Sequence, residues 1–342
     1  MKAAHIQIVS PALADANNGN WQSAKRWAHF LRTRYRVTLA RQWPHPAAIA
    51  DQRADDCADD CADDPDDDQH APDLLIALHA RRSSASLAAF ARAHPERPTL
   101  LLLTGTDLYR DIRSDIEAQA ALASAQALVL LQSAGLEELT PAMRAKASVI
   151  YQSAATLKSA KLPQRFFDVA MIGHLRSEKD PATFMRASRL IKLDRVRLIH
   201  IGAALEPELG ELARATEAAT PRYRWLGPLP RAQARQRLKR CHLMAITSQM
   251  EGGANVIIEA VTSAVAVVAS DISGNRGMLG DDYAGYFPAG DCAALAALIE
   301  RCALDASFHL LLQNQCARRA ALFAPAAEQT ALLQLVDNLL QS

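Results

Sequence analysis

The chain has 342 residues, half of them hydrophobic, and a formal net charge of +1; that is long enough for two domains with sizeable cores and too weakly basic for a general nucleic-acid binder. No apolar run reaches the length of a membrane span, and the opening MKAAHIQIVSPALAD lacks the charged and apolar blocks of a signal peptide, so a cytoplasmic protein is expected. Its cysteines, Cys57, Cys61, Cys241, Cys292, Cys302 and Cys316, are then expected to stay reduced.

In chain order, Ala4 to Val9 is a short apolar strand. A loop with Asn17, Asn18, Gly19 and Asn20 follows, then a helix that places Trp21, Ala24, Trp27, Ala28 and Leu31 at helical spacing. No G-x-G-x-x-G stands behind the strand, which argues against a nicotinamide-dependent oxidoreductase. After a second strand, Val37 to Ala40, comes an acidic insert over 51–70 containing RADDCADDCADDPDDD, with Cys57, Cys61 and His70. Thiolate, imidazole and carboxylate all bind metals, but a block of like charges repels itself and favours an exposed, disordered loop. Neither a metal nor a cofactor is expected.

The strand LLIALH ends at His79, ahead of Arg81, Arg82 and Ser83, and the strand in TLLLLTGTD runs into Thr104, Gly105, Thr106 and Asp107, with Tyr109 and Arg110 beyond. Parallel sheets place ligands past the carboxyl ends of their strands. Guanidinium groups, threonine hydroxyls and a glycine amide converging there suit a phosphate-like dianion. Surface charge at a helix start is the other reading of Arg81 and Arg82, although positive charge there opposes the helix dipole.

Leu128 to Leu131 and Val149 to Tyr151 read as two more strands. Between Gln152 and Arg165 the sequence SAATLKSAKLPQ is small, polar and proline-containing, and reads as a linker. A second series of strands then runs through Phe167 to Ile172, Val196 to Ile201, Tyr223 to Leu226, Leu243 to Thr247 and Val265 to Ser270, with helical patterns between. The expected fold class is α/β, with two Rossmann-like βα domains at 1–152 and 166–342.

Within the second series, TSQMEGGANVIIEAVTSAVAVVAS reads as a strand end, a glycine turn, a helix from about Ala254 to Ser263, and the next strand. Val256, Ile257, Ile258 and Val261 make that helix apolar on nearly every side, so it should be buried and Glu259 with it. A buried carboxylate is costly unless it meets a hydrogen-bond donor from protein or ligand. Glu251 stands just before Gly252 and Gly253, whose missing side chains leave the helix-start amides open to an anion. Glu259 lies roughly 7 Å further along the axis. Two carboxylates flanking an anion site suit the outline of a nucleotide-sugar, with ribose hydroxyls, a diphosphate and sugar hydroxyls. A carboxylate favoured by the dipole and a partner for a neighbouring helix are the plainer readings of the same two acids.

Glu251 and Glu259, separated by seven residues and following Ser248, resemble the E-x7-E signature of retaining glycosyltransferases with the GT-B fold. The resemblance implies two domains facing across a cleft, with the last helix folding back on the first. It implies that Glu251 faces the donor sugar and Glu259 the ribose, with the amides of Gly252, Gly253, Ala254 and Asn255 approaching sugar and phosphates. It sets Gly19 and Asn20 in a loop against the donor phosphates or the acceptor. The run MIGHLRSEKD resembles the family's G-R-L-x-x-x-K turn, so that Gly173 and Lys179 are donor-binding. Lys179 would neutralise the leaving nucleoside diphosphate; His174 replaces the family's arginine, for which Arg176 could substitute. In YRWLGPLP, Trp225 stands where the family borders the nucleotide base, although a core tryptophan explains it nearly as well. Ala264 and Ala266 occupy positions that are usually Gly and Pro.

The assortment NNGNW, ALHARRSSASL, LTGTDLYRD, YRWLGPLP, SQMEGGANVIIEA and GYFPAGD further resembles the selenosugar synthases of selenoneine biosynthesis. This implies transfer from a UDP-sugar, with UDP-N-acetylglucosamine the first choice, to selenophosphate, giving a 1-seleno-sugar. His79 would orient the acceptor or stabilise charge at the anomeric carbon. Arg81, Arg82, Thr104, Gly105, Thr106 and Arg110 would hold the acceptor. No membrane or nucleic-acid partner is implied. A glycosyltransferase with a hydroxyl or lipid acceptor and a non-catalytic nucleotide-sugar-binding protein remain as alternatives.

Overall fold

Short runs of leucine, isoleucine, valine and alanine alternate with helical stretches, and in the computed structural model they form two α/β units. The described residues are 3–11, 19–44, 71–158 and 160–341. Asn17, Asn18 and the acidic insert with Cys57, Cys61 and His70 lie outside them.

The first unit comprises Met1–Val129, Leu139–Ser148 and Gln329–Ser342. Its strands are β1 (His5–Val9), β2 (Arg36–Ala40), β3 (Leu74–Leu78), β4 (Thr99–Leu102), β5 (Ala127–Leu130) and β6 (Ala147–Val149), in the spatial order β2-β1-β3-β4-β5-β6. Between them run α1 (Gly19–Leu31), α2 (Ser84–Ala93), α3 (Ile112–Ser114), α4 (Ile116–Ser124) and α5 (Pro141–Ala145). The pairings β1·β2, β1·β3, β3·β4 and β4·β5 are parallel. Every residue of β1, β3, β4 and β5 is buried, whereas β2 and β6 at the edges are partly exposed. Central parallel strands covered on both faces produce this contrast, and it explains why β3 (LLIAL) and β5 (ALVL) are continuous apolar runs. Strand order reverses between β1 and β3, so the carboxyl end of β3, where His79 stands, borders a crossover of the kind that opens ligand crevices.

The second unit comprises Leu130–Glu138 and Val149–Glu328. Its strands are β7 (Phe167–Ile172), β8 (Val196–Ile201), β9 (Tyr223–Trp225), β10 (Leu243–Ile246), β11 (Ala266–Ser270) and β12 (Tyr286–Phe287), in the order β12-β11-β10-β7-β8-β9. Its helices are α6 (Pro181–Leu190), α7 (Pro207–Ala219), α8 (Arg231–Leu238), α9 (Asn255–Val261), α10 (Ser273–Leu279), α11 (Cys292–Leu304) and α12 (Ala306–Arg319). All its strand pairs are parallel. Here the order reverses between β7 and β10.

Three features differ from the sequence reading. β12 is only two residues long, too short to leave a period. β6 begins and ends two residues before the expected strand, although Ile150 still donates to Leu130 O at 2.9 Å. The described residues of 152–165 form no helix or strand, yet they are not a solvated tether. Leu157 N donates to Thr262 O at 2.9 Å, the Arg235 guanidinium donates to Ala155 O at 2.7 Å, and Gln152, Ser153 and Ala154 are buried.

The final helix, α13 (Pro325–Gln341), places its residues from Gln329 onward with the first unit. There Arg34 pairs with Asp337 at 2.7 Å, and the Tyr35 hydroxyl donates to the same carboxylate. Among the described residues, no helix is long and apolar enough to cross a membrane.

Candidate functional site

The reversal between β7 and β10 brings together two turns that lie far apart in sequence. After β7 the chain makes a tight turn over Ser177–Lys179, and Asp180, at φ +42°, caps α6 by accepting from Thr183 N at 3.2 Å and Thr183 Oγ1 at 2.7 Å. Non-glycine residues seldom adopt such a backbone; aspartate is among the more tolerant because its short side chain bonds locally. After β10, Thr247 Oγ1 stands 2.8 Å from both Lys179 O and Asp180 O, and Gln249 N donates to Glu178 O at 2.9 Å. These bonds lock the lysine turn onto the β10 end.

Lys179 Nζ consequently reaches Glu251 Oε1 at 2.5 Å, and Ser248 Oγ donates to the same oxygen at 2.6 Å. Behind them, Ser270 Oγ donates to Ser248 O at 2.5 Å, and Asn275 Nδ2 bonds Ser270 O and Oγ at 2.9 and 3.1 Å. All three of these polar residues are fully or almost fully buried. Gly274 permits this approach, because a Cβ there would lie 1.9 Å from Glu251 O.

The turn over Gly252, Gly253, Ala254 and Asn255 leads into α9 ahead of its first intrahelical bond, from Ile257 N to Ala254 O. Amides at such a start have no partner within the helix. Gly253 packs against Leu131, whose Cβ would be 2.5 Å from any Cβ at that position. Glu259, within α9, is buried, and Arg231 Nε donates to its Oε1 at 2.7 Å. Ala264, where the family has glycine, adopts φ +57°. Val265 N donates to Ala260 O at 2.9 Å, so the helix ends in the glycine-type turn despite the substitution.

At the ends of β7 and β8, a Cβ on Gly202 would lie 1.9 Å from Gly173 O. Trp225 Nε1 donates to Gly202 O at 2.9 Å, so the indole holds this loop. His174 Nδ1 accepts from Ala203 N at 3.1 Å. Burial lowers its pKa, and nearby Arg176 and Lys179 lower it further. His174 therefore stays neutral and ties down backbone instead of supplying the charge of the arginine it replaces. Arg176 precedes the lysine turn and is exposed. His200 lies beneath, with Nε2 3.3 Å from Gly173 O and Nδ1 2.9 Å from the Tyr223 hydroxyl; burial pushes its pKa down to about 4.

In the first unit, His79 is buried with φ +72°. Its Nδ1 accepts from Arg82 N at 3.5 Å, which leaves the hydrogen on Nε2, 3.2 Å from Thr106 Oγ1. Burial lowers its pKa against the opposing effect of Asp107. Two of the donors proposed for a dianion, the Thr104 hydroxyl and the Gly105 amide, are already committed. Thr104 N, Thr104 Oγ1 and Gly105 N all donate to Asp107 Oδ1, at 2.9, 3.0 and 2.8 Å. Arg81 and Arg110 both approach Asp111, their Nε atoms 3.6 and 3.2 Å from its carboxylate. Arg82 is exposed. The cluster thus contains carboxylates as well as cations, which changes what it can hold. Gly19 and Asn20 begin α1, where Ser23 Oγ donates to Gly19 O at 2.8 Å. Among the described residues, no group of three His, Cys, Asp or Glu side chains could hold a metal ion.

Sequence reasoning missed Arg231, Thr247, Ser270, Asn275 and Asp111. Arg231 left one signal, a cation directly after a proline at a helix start, where it opposes the dipole unless a carboxylate is near. The others left none, since Thr247, Ser270 and Asp111 each meet at least one partner from a distant segment and Asn275 is placed by its bonds to Ser270.

Residues 154–321 match the family described as glycosyl transferases, group 1. No curated protein matches the sequence. Among solved structures, HepE of Anabaena, in complex with UDP and glucose, is 16% identical over 98% of this chain and 100% of its own, with a TM-score of 0.72. Sucrose-phosphate synthase from Thermosynechococcus elongatus is 15% identical over 98% and 99%, also at 0.72. The pneumococcal O-GlcNAc transferase GtfA, in complex with UDP and GlcNAc, is 15% identical over 79% of this chain and 57% of its own, at 0.64. The fold class is GT-B, each unit built on a six-stranded parallel sheet.

Proposed function

We propose that this GT-B glycosyltransferase, whose residues 154–321 carry the group 1 family match, transfers a sugar from a UDP-sugar to selenophosphate. UDP-N-acetylglucosamine is the first donor to try. The observation that carries the donor half is the Lys179–Glu251 pair at the reversal of strand order, beside the Gly252–Asn255 turn and eight positions before Glu259. HepE, which binds UDP and glucose, supports the choice of a UDP-sugar by its shared fold. The acceptor half rests on the sequence assortment from NNGNW to GYFPAGD.

Selenium attacks the anomeric carbon as the bond from that carbon to the diphosphate oxygen breaks, and UDP leaves with the electron pair. Water then cleaves the selenium–phosphorus bond, releasing phosphate and the 1-seleno-sugar. Selenium is already a good nucleophile, so the chain's task is to position it and to stabilise the departing diphosphate. The diphosphate draws Lys179 away from Glu251 and toward its oxygens, with Arg176 and the amides of the glycine turn adding to it, and Glu251 is freed to accept from sugar hydroxyls. Arg231 holds Glu259 oriented for the ribose. His79, neutral, orients the acceptor without competing for it as an anion.

The test is incubation with UDP-sugars and selenophosphate, with thiophosphate and simple alcohols as controls, reading UDP release and a selenium-containing product. UDP release with alcohols alone would reject the acceptor and favour the second reading, a hydroxyl acceptor. That reading draws support from the buried carboxylate of Asp111 beside His79, since carboxylates accept from hydroxyls.

A further inference from the structure

The carboxyl end of β3 concentrates two locally costly backbone features. His79 leaves the strand at φ +72°, and Asp107–Asp111 form a single π-turn. Such features persist where surrounding structure enforces them and recur at functional sites. Asp107 is accounted for, since its two oxygens accept from Thr104, Gly105 and, at 2.9 Å, Ala80 N. Asp111 is not. Its side chain is 4% exposed, and Oδ1 takes Arg110 Nε at 3.2 Å. Its Oδ2, however, is buried and accepts no hydrogen bond, standing 3.6 Å from Arg81 Nε and 4.0 Å from His79 Nε2. A buried charged acceptor left unmade is expensive.

A group arriving among Asp111 Oδ2, Arg81, His79 Nε2 and Thr106 Oγ1 must therefore bring a hydrogen to Asp111 while offering negative charge to Arg81. A fully deprotonated oxyanion meets Arg81 well but faces the Asp111 carboxylate oxygen to oxygen. We propose that this cluster is an acceptor subsite selective for an oxyanion that retains a hydrogen, of the hydrogen-phosphate type, and that Asp111 is the residue that reads the hydrogen. The inference deepens the acceptor half of the proposed function and rests on it for the biological ligand; the subsite itself is testable without any transfer reaction.

The probes are inorganic phosphate, which keeps a hydrogen near neutral pH, and sulfate, which does not, titrated calorimetrically into the full chain at constant ionic strength. Phosphate should bind at least ~10-fold more tightly than sulfate, equivalent to about 1.4 kcal/mol. Asp111→Asn, whose amide both donates and accepts, should bring the two to within about 3-fold, chiefly by admitting sulfate. Arg81→Gln should weaken both and preserve their ratio. Equal binding by the wild-type chain, no phosphate binding, or a preference that survives Asp111→Asn would each overturn the proposal. Should Asp111→Asn fail to fold, the wild-type ratio and Arg81→Gln still decide it. A chain that prefers phosphate to sulfate yet releases no UDP with selenophosphate would retain the subsite and lose the transfer reaction.

Discussion

Replacing Lys179 by methionine keeps the length of the side chain and removes its ammonium, so that Glu251 stays buried with Ser248 as its one remaining donor. Removing one partner of a buried ion pair costs about 3–5 kcal/mol. Lys179 is 19% exposed, so water reaches its side of the pair, and with the Ser248 bond retained the cost should be about 2 kcal/mol. Glu251→Gln leaves the charge on the more solvated partner and should cost about 1 kcal/mol. The double variant removes both charges and should lie within about 1 kcal/mol of wild type, a coupling of roughly 2 kcal/mol. Urea unfolding of the four chains measures this cycle, and UDP release measures activity. If Lys179 also stabilises the departing diphosphate, Lys179→Met should lose about 10²-fold in turnover, and the double variant should regain stability but not activity. Single costs that simply add in the double variant would refute the pairing; activity that returns with stability would refute the catalytic role.

Ser248→Ala removes a hydrogen bond to a charged acceptor, about 1.5–3 kcal/mol, and should lower turnover about 10-fold while UDP affinity, measured by calorimetry, changes little. Ala264→Gly relieves a left-handed backbone at φ +57° and should raise the stability measured in urea by about 0.5–1 kcal/mol. His200 is held neutral down to about 4, whereas the unfolded chain takes up its proton near the ordinary 6.5. Between those values the unfolded state binds more protons, so the contribution is whole above pH 6.5 and is lost as pH falls through the window, by ~3 kcal/mol when complete. His200→Gln should flatten that part of the stability profile, and an unchanged slope would show that another group carries it.

Much of the fold was legible because its signals are local. The runs LLIAL, ALVL and LMAI are apolar without interruption, as suits strands covered on both faces. The buried helix around Glu259 followed from the same argument, and so did the expectation of a donor for its carboxylate, which proved to be Arg231. The stretch at 152–165 misled because small polar residues and a proline suggest solvent, while its anchoring bonds to Thr262 and Arg235 come from chain that its own composition does not describe. The cluster at His79 was only half legible. Arginines and threonines near one another suggest an anion, and only the placement of Asp107 and Asp111 among them showed which donors were already engaged.

Residue order alone thus determined two βα series, the glycine turn and the two acids that flank it, one ahead of the turn and one in the helix behind it, since run length, glycine placement and helical rise act over a few neighbouring residues. Tertiary structure decided the partners. Lys179 meets Glu251 across 72 positions because the reversal of strand order sets the ends of β7 and β10 side by side, and Arg231, at the start of α8, meets Glu259 across 28. Which charge neutralises which is a property of sheet topology, and no local pattern encodes it.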